Sequence, residues 1–453
     1  MWSRTGFSLL IVLHLSLGPV ESGRAQDDFF EPLQINIQEP EASTGDSFLG
    51  WISQQIAYGY EAPGPVFSRA DSDLTKLETS LYLQYDRDLG ANTAARISGS
   101  IHHDEVFRVN GDIDYSHDEI DEFRNRYQLR DLYIEHETEG GVYLKLGNQI
   151  LAWGMAEYLR VTDLVNIRDL YTLAQQDLED IRLQIPALLL STNVSNWSLE
   201  AAVSLAAGHD LIAPRGDEFD PFIAAGNLAN KPVFLKPDQK HEVFFRASTR
   251  WQRGDLQFVA GEFNENSFSS LGEAGTTESG RQPRFGQRRS RAMGLAGNWV
   301  EGPWLFFAEA ALHKNRSLRL VQDWTTPAPN SDQWLSALGF EYNGFSNLLL
   351  GVEIDGIRIR NQDNTPMLSS TRHSAGLRAY WTGFNQRLEL LAVWNELINA
   401  GGQVTRISVD YDWSDNFSAG LLWVAYDGDS DTLLYPYRNN DIIQFQLRYN
   451  FQL

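Results

Sequence analysis

The chain has 453 residues, no cysteine and a formal net charge of -23. So acidic a chain is unsuited to nucleic acid, and the missing cysteines exclude a disulfide framework, a lipoprotein anchor and thiolate metal sites. Beyond the N-terminus no apolar run approaches the roughly 20 residues that a spanning helix needs.

The first segment has secretory features. Arg4 supplies a positive start, Phe7 to Leu17 is apolar, and Gly23-Arg24-Ala25 is a small-x-small cleavage site. This predicts a cleaved signal peptide over 1–25, with the mature chain starting near Gln26. An acidic, Pro-containing periplasmic leader follows over 26–47, and a single transmembrane domain over 48–453.

From there the chain alternates. Strands are expected near 48–60, 74–87, 92–104, 123–137, 140–152, 184–194, 197–207, 243–253, 256–264, 290–300, 303–314, 333–343, 346–357, 372–382, 385–396, 403–413, 416–427 and 441–453. Leu77, Thr79, Leu81, Leu83 and Tyr85 share one face, and Glu78, Ser80, Gln84 and Asp86 the other. Ile407, Val409, Tyr411 and Trp413 likewise oppose Arg406, Ser408, Asp410 and Asp412. A period of two with one apolar and one polar face suits a wall between lipid and a wet lumen. In 123–137 the apolar parity switches between Tyr127/Leu129 and Leu132/Ile134, which predicts a bulge.

Connections alternate between short and long. Glu139-Gly140-Gly141, Glu301-Gly302, Asn343-Gly344 and Ser414-Asp415 are short and carry turn residues, whereas 105–122, 153–183, 208–242 and 265–289 are long. Short periplasmic turns and long outer loops are the rule of outer-membrane barrels. The last strand sets Ile443, Phe445, Leu447, Tyr449 and Phe451 against Gln444, Gln446, Arg448 and Asn450. Such a C-terminal strand is what the barrel-assembly machinery recognises, although it ends in Leu453 where Phe or Trp is usual. The expected fold is an all-β transmembrane antiparallel barrel of about 18 strands, with 16 still allowed.

Some expected lumen positions are apolar: Leu305, Phe307, Leu349, Leu422 and Val424. Either an inward loop covers them or part of the lumen is greasy. The candidate for that loop is the third outer one. It carries balanced acids and bases, Arg160, Asp163, Asn166, Arg168, Asp169, Asp180 and Arg182, and a short helix is expected over 174–180. Folded inward and bridged to Arg96, Arg246 or Arg378, it would form a constriction or plug. The alternative is an outer lid with surface ion pairs of little energetic worth.

This stretch also carries a resemblance. Gly147, Gln149, Trp153 and Gly154 open a motif that continues through Arg160, Asp163, Asn166 and Asp169, then Asp177, Glu179, Asp180, Arg182 and Pro186. Over roughly 140–190 it resembles a group of proteobacterial outer-membrane proteins, domain-of-unknown-function family 1302. Arg168 departs from it, where such proteins often have Pro. The resemblance implies a β-barrel encoded near RND-type inner-membrane transporters and periplasmic lipid carriers, with hydrophobic cargo such as lipids, sterols, alkanes or fatty acids. It brings no catalytic residues and no cofactor.

Other features are weaker. Asp427 to Asp431 and the acidic run Asp112 to Glu122 offer hard oxygen ligands, but neither has calcium-loop spacing. Adjacent His102 and His103 point to opposite faces. No HExxH, GxSxG or phosphate loop occurs, so catalysis is not expected. Arg281, Arg284, Arg288, Arg289 and Arg291 form a basic run suited to lipopolysaccharide phosphates, an anionic solute or neighbouring acidic loops.

Three functions follow as expectations. The first is an outer-membrane conduit for a hydrophobic or amphipathic molecule, chosen on the resemblance. The second is a diffusion porin whose passage is lined by Arg96, Arg246, Arg250, Arg378 and Arg406. The third is a structural or surface-binding barrel.

Overall fold

The computed structural model describes residues 46–60, 74–110, 121, 124–176, 180–214, 217–220, 232–277, 280–318, 326–360, 371–399, 401–429 and 434–452. The expected signal peptide, nearly all of the expected leader, most of the acidic run 112–122, Asp177, Glu179, Asp431 and Leu453 lie outside the described residues.

The alternating segments form strands. In chain order these are β1 (Ser47–Gly59), β2 (Leu74–Gly90), β3 (Thr93–Asp104), β4 (Asn125–Glu137), β5 (Val142–Gln149), β6 (Ile167–Leu170), β7 (Arg182–Leu183) and β8 (Ile185–Val194). Next come β9 (Trp197–Ser204), β10 (Leu211–Ile212), β11 (Val233–Leu235), β12 (Glu242–Trp251), β13 (Gly254–Asn264), β14 (Ser269–Thr277), β15 (Gly280–Gly286) and β16 (Arg289–Glu301). The last are β17 (Trp304–Ser317), β18 (Asn330–Phe345), β19 (Leu348–Arg360), β20 (Thr371–Gly383), β21 (Leu388–Leu397), β22 (Gln403–Asp412), β23 (Phe417–Asp427) and β24 (Ile442–Gln452).

All but β6, β7, β10, β11, β14 and β15 join one 18-stranded antiparallel sheet. β1 pairs with β2 on one side and β24 on the other, so the sheet closes and no edge is left open. The expected barrel of 18 strands is therefore the fold.

The two faces separate by parity. Met293, Leu295, Leu338, Ile354, Leu377 and Phe445 are exposed on the outer wall, while Ala292, Ala296, Leu335, Ala337 and Gln444 are buried inside. A continuous apolar exterior on a closed barrel is a lipid-facing surface. At the short-turn end it carries an aromatic belt. Trp304 packs on Phe306, Phe340 and Tyr342 with ring centroids 4.5 to 6.0 Å apart. Such girdles mark the membrane–water interface.

The bulge in β4 is present. The register with β3 slips between Ile97 and Gly99, where three residues of β4 are spanned by two of β3. Tyr127, Leu129, Leu132 and Ile134 thereby all face outward despite their parity switch. One turn is misplaced in the sequence reading. β18 continues past Asn343-Gly344 through a bulge, and the turn falls at Asn347, whose φ is 63°.

Three long loops hold more structure than their composition suggests. β14 and β15 pair antiparallel inside the segment 265–289, and β11 adds to β15 in parallel. β10, in the fourth outer loop, pairs in parallel with β6 of the third. β7, β10 and β11, of two or three residues each, are too short for periodicity to reveal them.

Leu338→Arg tests the outer face, since Leu338 sits mid-strand and is 64% exposed. Equilibrium refolding into vesicles should show a loss of about 2–4 kcal/mol. Unchanged stability would remove this strand face from the lipid.

A loop across the lumen and the cavity beside it

The third outer loop leaves β5 and enters the barrel. The motif residues explain the departure. Gly147 has φ 137°, and a Cβ there would lie 2.0 Å from the Leu132 carbonyl, hard against the β4 bulge. Only glycine fits this combination of conformation and contact. The Gln149 side chain is fully buried and donates to the Ala187 carbonyl at 2.9 Å, pinning the strand end to β8. Trp153 is 3% exposed and meets Phe244 edge-on, while the Arg246 guanidinium lies 5.7 Å from its ring. Its carbonyl accepts from Gln257 of β13. At Gly154 the loop folds back so tightly that a Cβ would approach that of Asp163 to 2.8 Å.

The loop then reaches the far wall. Glu309 of β17 accepts from the amides of Met155, Ala156 and Thr162 and from the Thr162 hydroxyl. Glu353 of β19 accepts from the amides of Glu157 and Tyr158 at 3.0 and 3.2 Å. Arg378 of β20 pairs with Glu157 and with Glu341. A Cβ at Gly376 of β20 would overlap the Tyr158 ring at 2.1 Å, so the wall is notched to receive it. β20 stands nine strands from β5 around the ring, the diametrically opposite position. The loop therefore spans the lumen.

The remaining motif residues fasten its two ends. Asn166 Oδ1 accepts from the Leu151 amide at 2.8 Å, and Nδ2 donates to the Leu183 carbonyl at 2.9 Å. One buried amide thus ties the outgoing and returning chain together. Asp163 accepts from Arg182 at 3.1 Å, and Arg160 Nε donates to its carbonyl at 3.0 Å. Asp169 accepts from Gln128 at 3.2 Å and Asp180 from Arg130 at 2.9 Å. The Arg168 amide donates to Asp210 of the fourth loop at 2.9 Å.

Apolar packing completes the filling. Ala156 and Val161 pack on Ala311, Leu335 and Ala337, with Phe307 against them. Leu173 and Ala174 pack on Leu422 and Val424. Phe307, Leu422 and Val424 are thus covered by the loop. Phe219 of the fourth loop joins the same cluster against Tyr426.

Several expectations need correction. Among the described residues Arg96 binds no part of the loop; it pairs with Asp86 of the neighbouring strand at 2.5 Å. Arg250 pairs with Asp255 beside a short turn, and its side chain is 85% exposed, outside any constriction. Arg246 pairs with Glu200 and touches the loop through the Trp153 face rather than an acid. The helix expected over 174–180 is a turn in its described part, with Ala174 at φ 59°, which a helix excludes. Glu309, Glu353, Arg126 and Arg130 escaped sequence reading, although a carboxylate between apolar lumen positions was a usable signal.

Beside the loop lies a cavity, between the wall of β1–β4 and that of β22–β24. Its cations are Lys76, Arg126, Arg130, Arg406 and Arg448, and its carboxylates are Glu78, Asp169, Asp180 and Asp410. Arg126 bonds Glu78 at 3.1 Å. Lys76 donates to the neutral Gln444 side chain at 3.4 Å, and the Arg448 guanidinium lies 4.6 Å from the Trp51 ring. Glutamine and serine side chains fill much of the rest. Among the described residues no group of three His, Asp or Glu is placed to hold a metal.

Comparison with known proteins bears on the fold and the family. Solved structures of similar fold include Pseudomonas aeruginosa OccK9 (OpdG), 11% identical over 90% of this chain and 98% of that one, TM-score 0.51. Acinetobacter baumannii OccAB3 is 8% identical over 90% of this chain and 99% of that one, TM-score 0.51. OccAB4 of the same organism is 8% identical over 91% and 100%, TM-score 0.51. No curated protein matches the chain in sequence. The family described as "Protein of unknown function (DUF1302)" matches residues 67–393, well over half of the chain and including the whole lumen-crossing loop, so the chain belongs to that family.

Proposed function

We propose that the protein is a channel in the outer membrane of a Gram-negative bacterium. It passes small polar solutes, anions preferentially, along the lobe between β1–β4 and β22–β24. The observation that carries this reading is the third loop crossing the lumen and covering apolar wall residues, so that the space left is polar. Five cations against four carboxylates line that space in a chain whose net charge is -23. A local cation excess between low-dielectric walls concentrates anions. The activity is transport rather than catalysis. The secretory N-terminus fits export, and β24 is the segment that the assembly machinery would read.

A second reading keeps the hydrophobic cargo, with an RND-type inner-membrane transporter and a periplasmic carrier as partners. It rests on the family resemblance. One observation favours it: an apolar groove on the outer wall, lined by Trp251, Trp299, Phe306, Leu338, Phe340 and Ile354. An apolar ligand co-purifying with the barrel, identified by mass spectrometry, would move the proposal to this reading.

Planar-bilayer recording separates the two. The intact protein should give small steady steps, and deletion of 155–180 should enlarge them several-fold. Silence in both proteins would end the channel reading. Silence in the intact protein with large openings in the deletion would make the loop a closed plug.

Selectivity is the next test. Arg406→Gln and Arg448→Gln should each move the reversal potential in a salt gradient toward cations, while Arg250→Gln should leave it unchanged. Cation selectivity in the intact protein would refute the anion preference.

The latch can be tested separately. Glu309→Ala strands four loop donors, each costing about 1–3 kcal/mol when buried unpaired. Open-channel noise and protease cleavage within 155–163 should both rise. A quiet, resistant variant would show that the loop is held by packing alone.

A further inference from the structure

The basic run flagged in the sequence does not stay together. Arg288 turns inward to Ser317 and the Ala328 carbonyl at 2.9 Å each. The Arg281 side chain is outside the described residues. Arg289 and Arg291 instead lie on β16 with the parity of the exposed Met293 and Leu295, on the outer wall at its long-loop end.

There they meet other cations. Arg291 lies directly opposite Lys314 of β17. Two strands further, Arg358 and Arg360 of β19 lie opposite Trp334 and Asp332 of β18. Arg291, Lys314, Arg358 and Arg360 are all exposed. One carboxylate, Glu262, serves both Arg289 and Arg291, at 3.3 and 2.9 Å. Among the described residues, Lys314, Arg358 and Arg360 have no ion-pair partner.

Folding does not ask for this arrangement. Like charges directly opposite across a sheet destabilise it. The chain is acidic, with 60 acids to 37 Lys and Arg, so Arg289, Arg291, Lys314, Arg358 and Arg360 against Glu262 and Asp332 on one rim are a local departure. The row spans four adjacent strands, about 14 Å at ordinary strand spacing. Directly below it on the same face are the exposed apolar side chains Met293, Leu295, Trp334 and Leu338.

We propose that this row binds the phosphates of an outer-leaflet glycolipid whose acyl chains lie on the wall beneath. Arginine offers paired donors to phosphate oxygens, and lysine adds a point charge. The apolar strip selects an acylated phosphate over a free one, because only the former covers both halves of the site.

The test uses the full barrel in nanodiscs, with native mass spectrometry to count retained lipid. The probe is bisphosphorylated lipid A, compared with its dephosphorylated form. The intact protein should retain the phosphorylated lipid at least about tenfold better than the Arg291→Gln/Lys314→Gln/Arg358→Gln variant, as expected from losing charge-assisted bonds. It should also prefer the phosphorylated to the dephosphorylated form, a comparison that needs no variant. Equal retention of both lipids by the intact protein would overturn the proposal. So would equal retention of lipid A by a triple variant that keeps heat-modifiable barrel mobility. Displacement of the lipid by excess inorganic phosphate would reassign the row to a free anion and likewise overturn it.

Discussion

An irregular loop placed at membrane depth must satisfy its own backbone. Strands do this by pairing with neighbours, but residues 155–162 pair with no strand and pack on the wall, with Ala156, Val161 and Thr162 buried. Two wall carboxylates meet the need. Glu309 takes up three amides and a hydroxyl, and Glu353 takes up two amides. A carboxylate has enough acceptor sites to gather several converging N–H groups. These two side chains fasten the far reach of the loop to the wall, and the closed side of the lumen and the polar cavity beside it go with that position.

The wall is adapted to that loop. An 18-stranded ring is too wide for its own side chains to fill. Where the loop lies, small inward positions, Ala187, Ala202, Ala292, Ala311 and Ala337, alternate with larger apolar ones such as Phe244, Phe307 and Leu335. Around the cavity they are long and polar: Gln55, Arg126, Gln128, Gln444 and Arg448. The lumen thus has a packed side, built like a protein core, and a wet side.

The wall itself was legible because the physics that builds it is local. Period-two alternation states which residues meet lipid, and in β4 even the bulge was written in a parity switch between Leu129 and Leu132. The site was less legible. Apolar lumen positions such as Phe307 and Leu422 signalled that something must cover them, and the loop's paired charges made it a candidate. Which wall residues it would meet depends on contacts between segments about 150 to 200 positions apart, as between Thr162 and Glu309 or Tyr158 and Glu353. No periodicity encodes those. Arg96 and Arg406 look alike in sequence, each on a lumen face. Only the register shows that Arg96 is held by Asp86 while Arg406 lines the cavity.

The family motif takes on a physical meaning here. Gly147 permits the exit past the bulge, Gln149 ends the strand, Trp153 anchors the first step inward, and Gly154 lets the chain return on Asp163. Asn166 ties exit to return. Each of these residues serves the path of the loop, and none lines the open cavity. Asp169 and Asp180 do face it, yet both are engaged by the wall, through Gln128 and Arg130. The motif therefore specifies how the lumen is narrowed and leaves unspecified what passes. In the proposed channel, solute preference would belong to the wall of β1–β4 and β22–β24, part of which lies beyond the matched residues 67–393. If that cavity is the solute's path, members that share this motif should share the crossing loop while differing in solute, because most of the residues that build the obstruction do not line it.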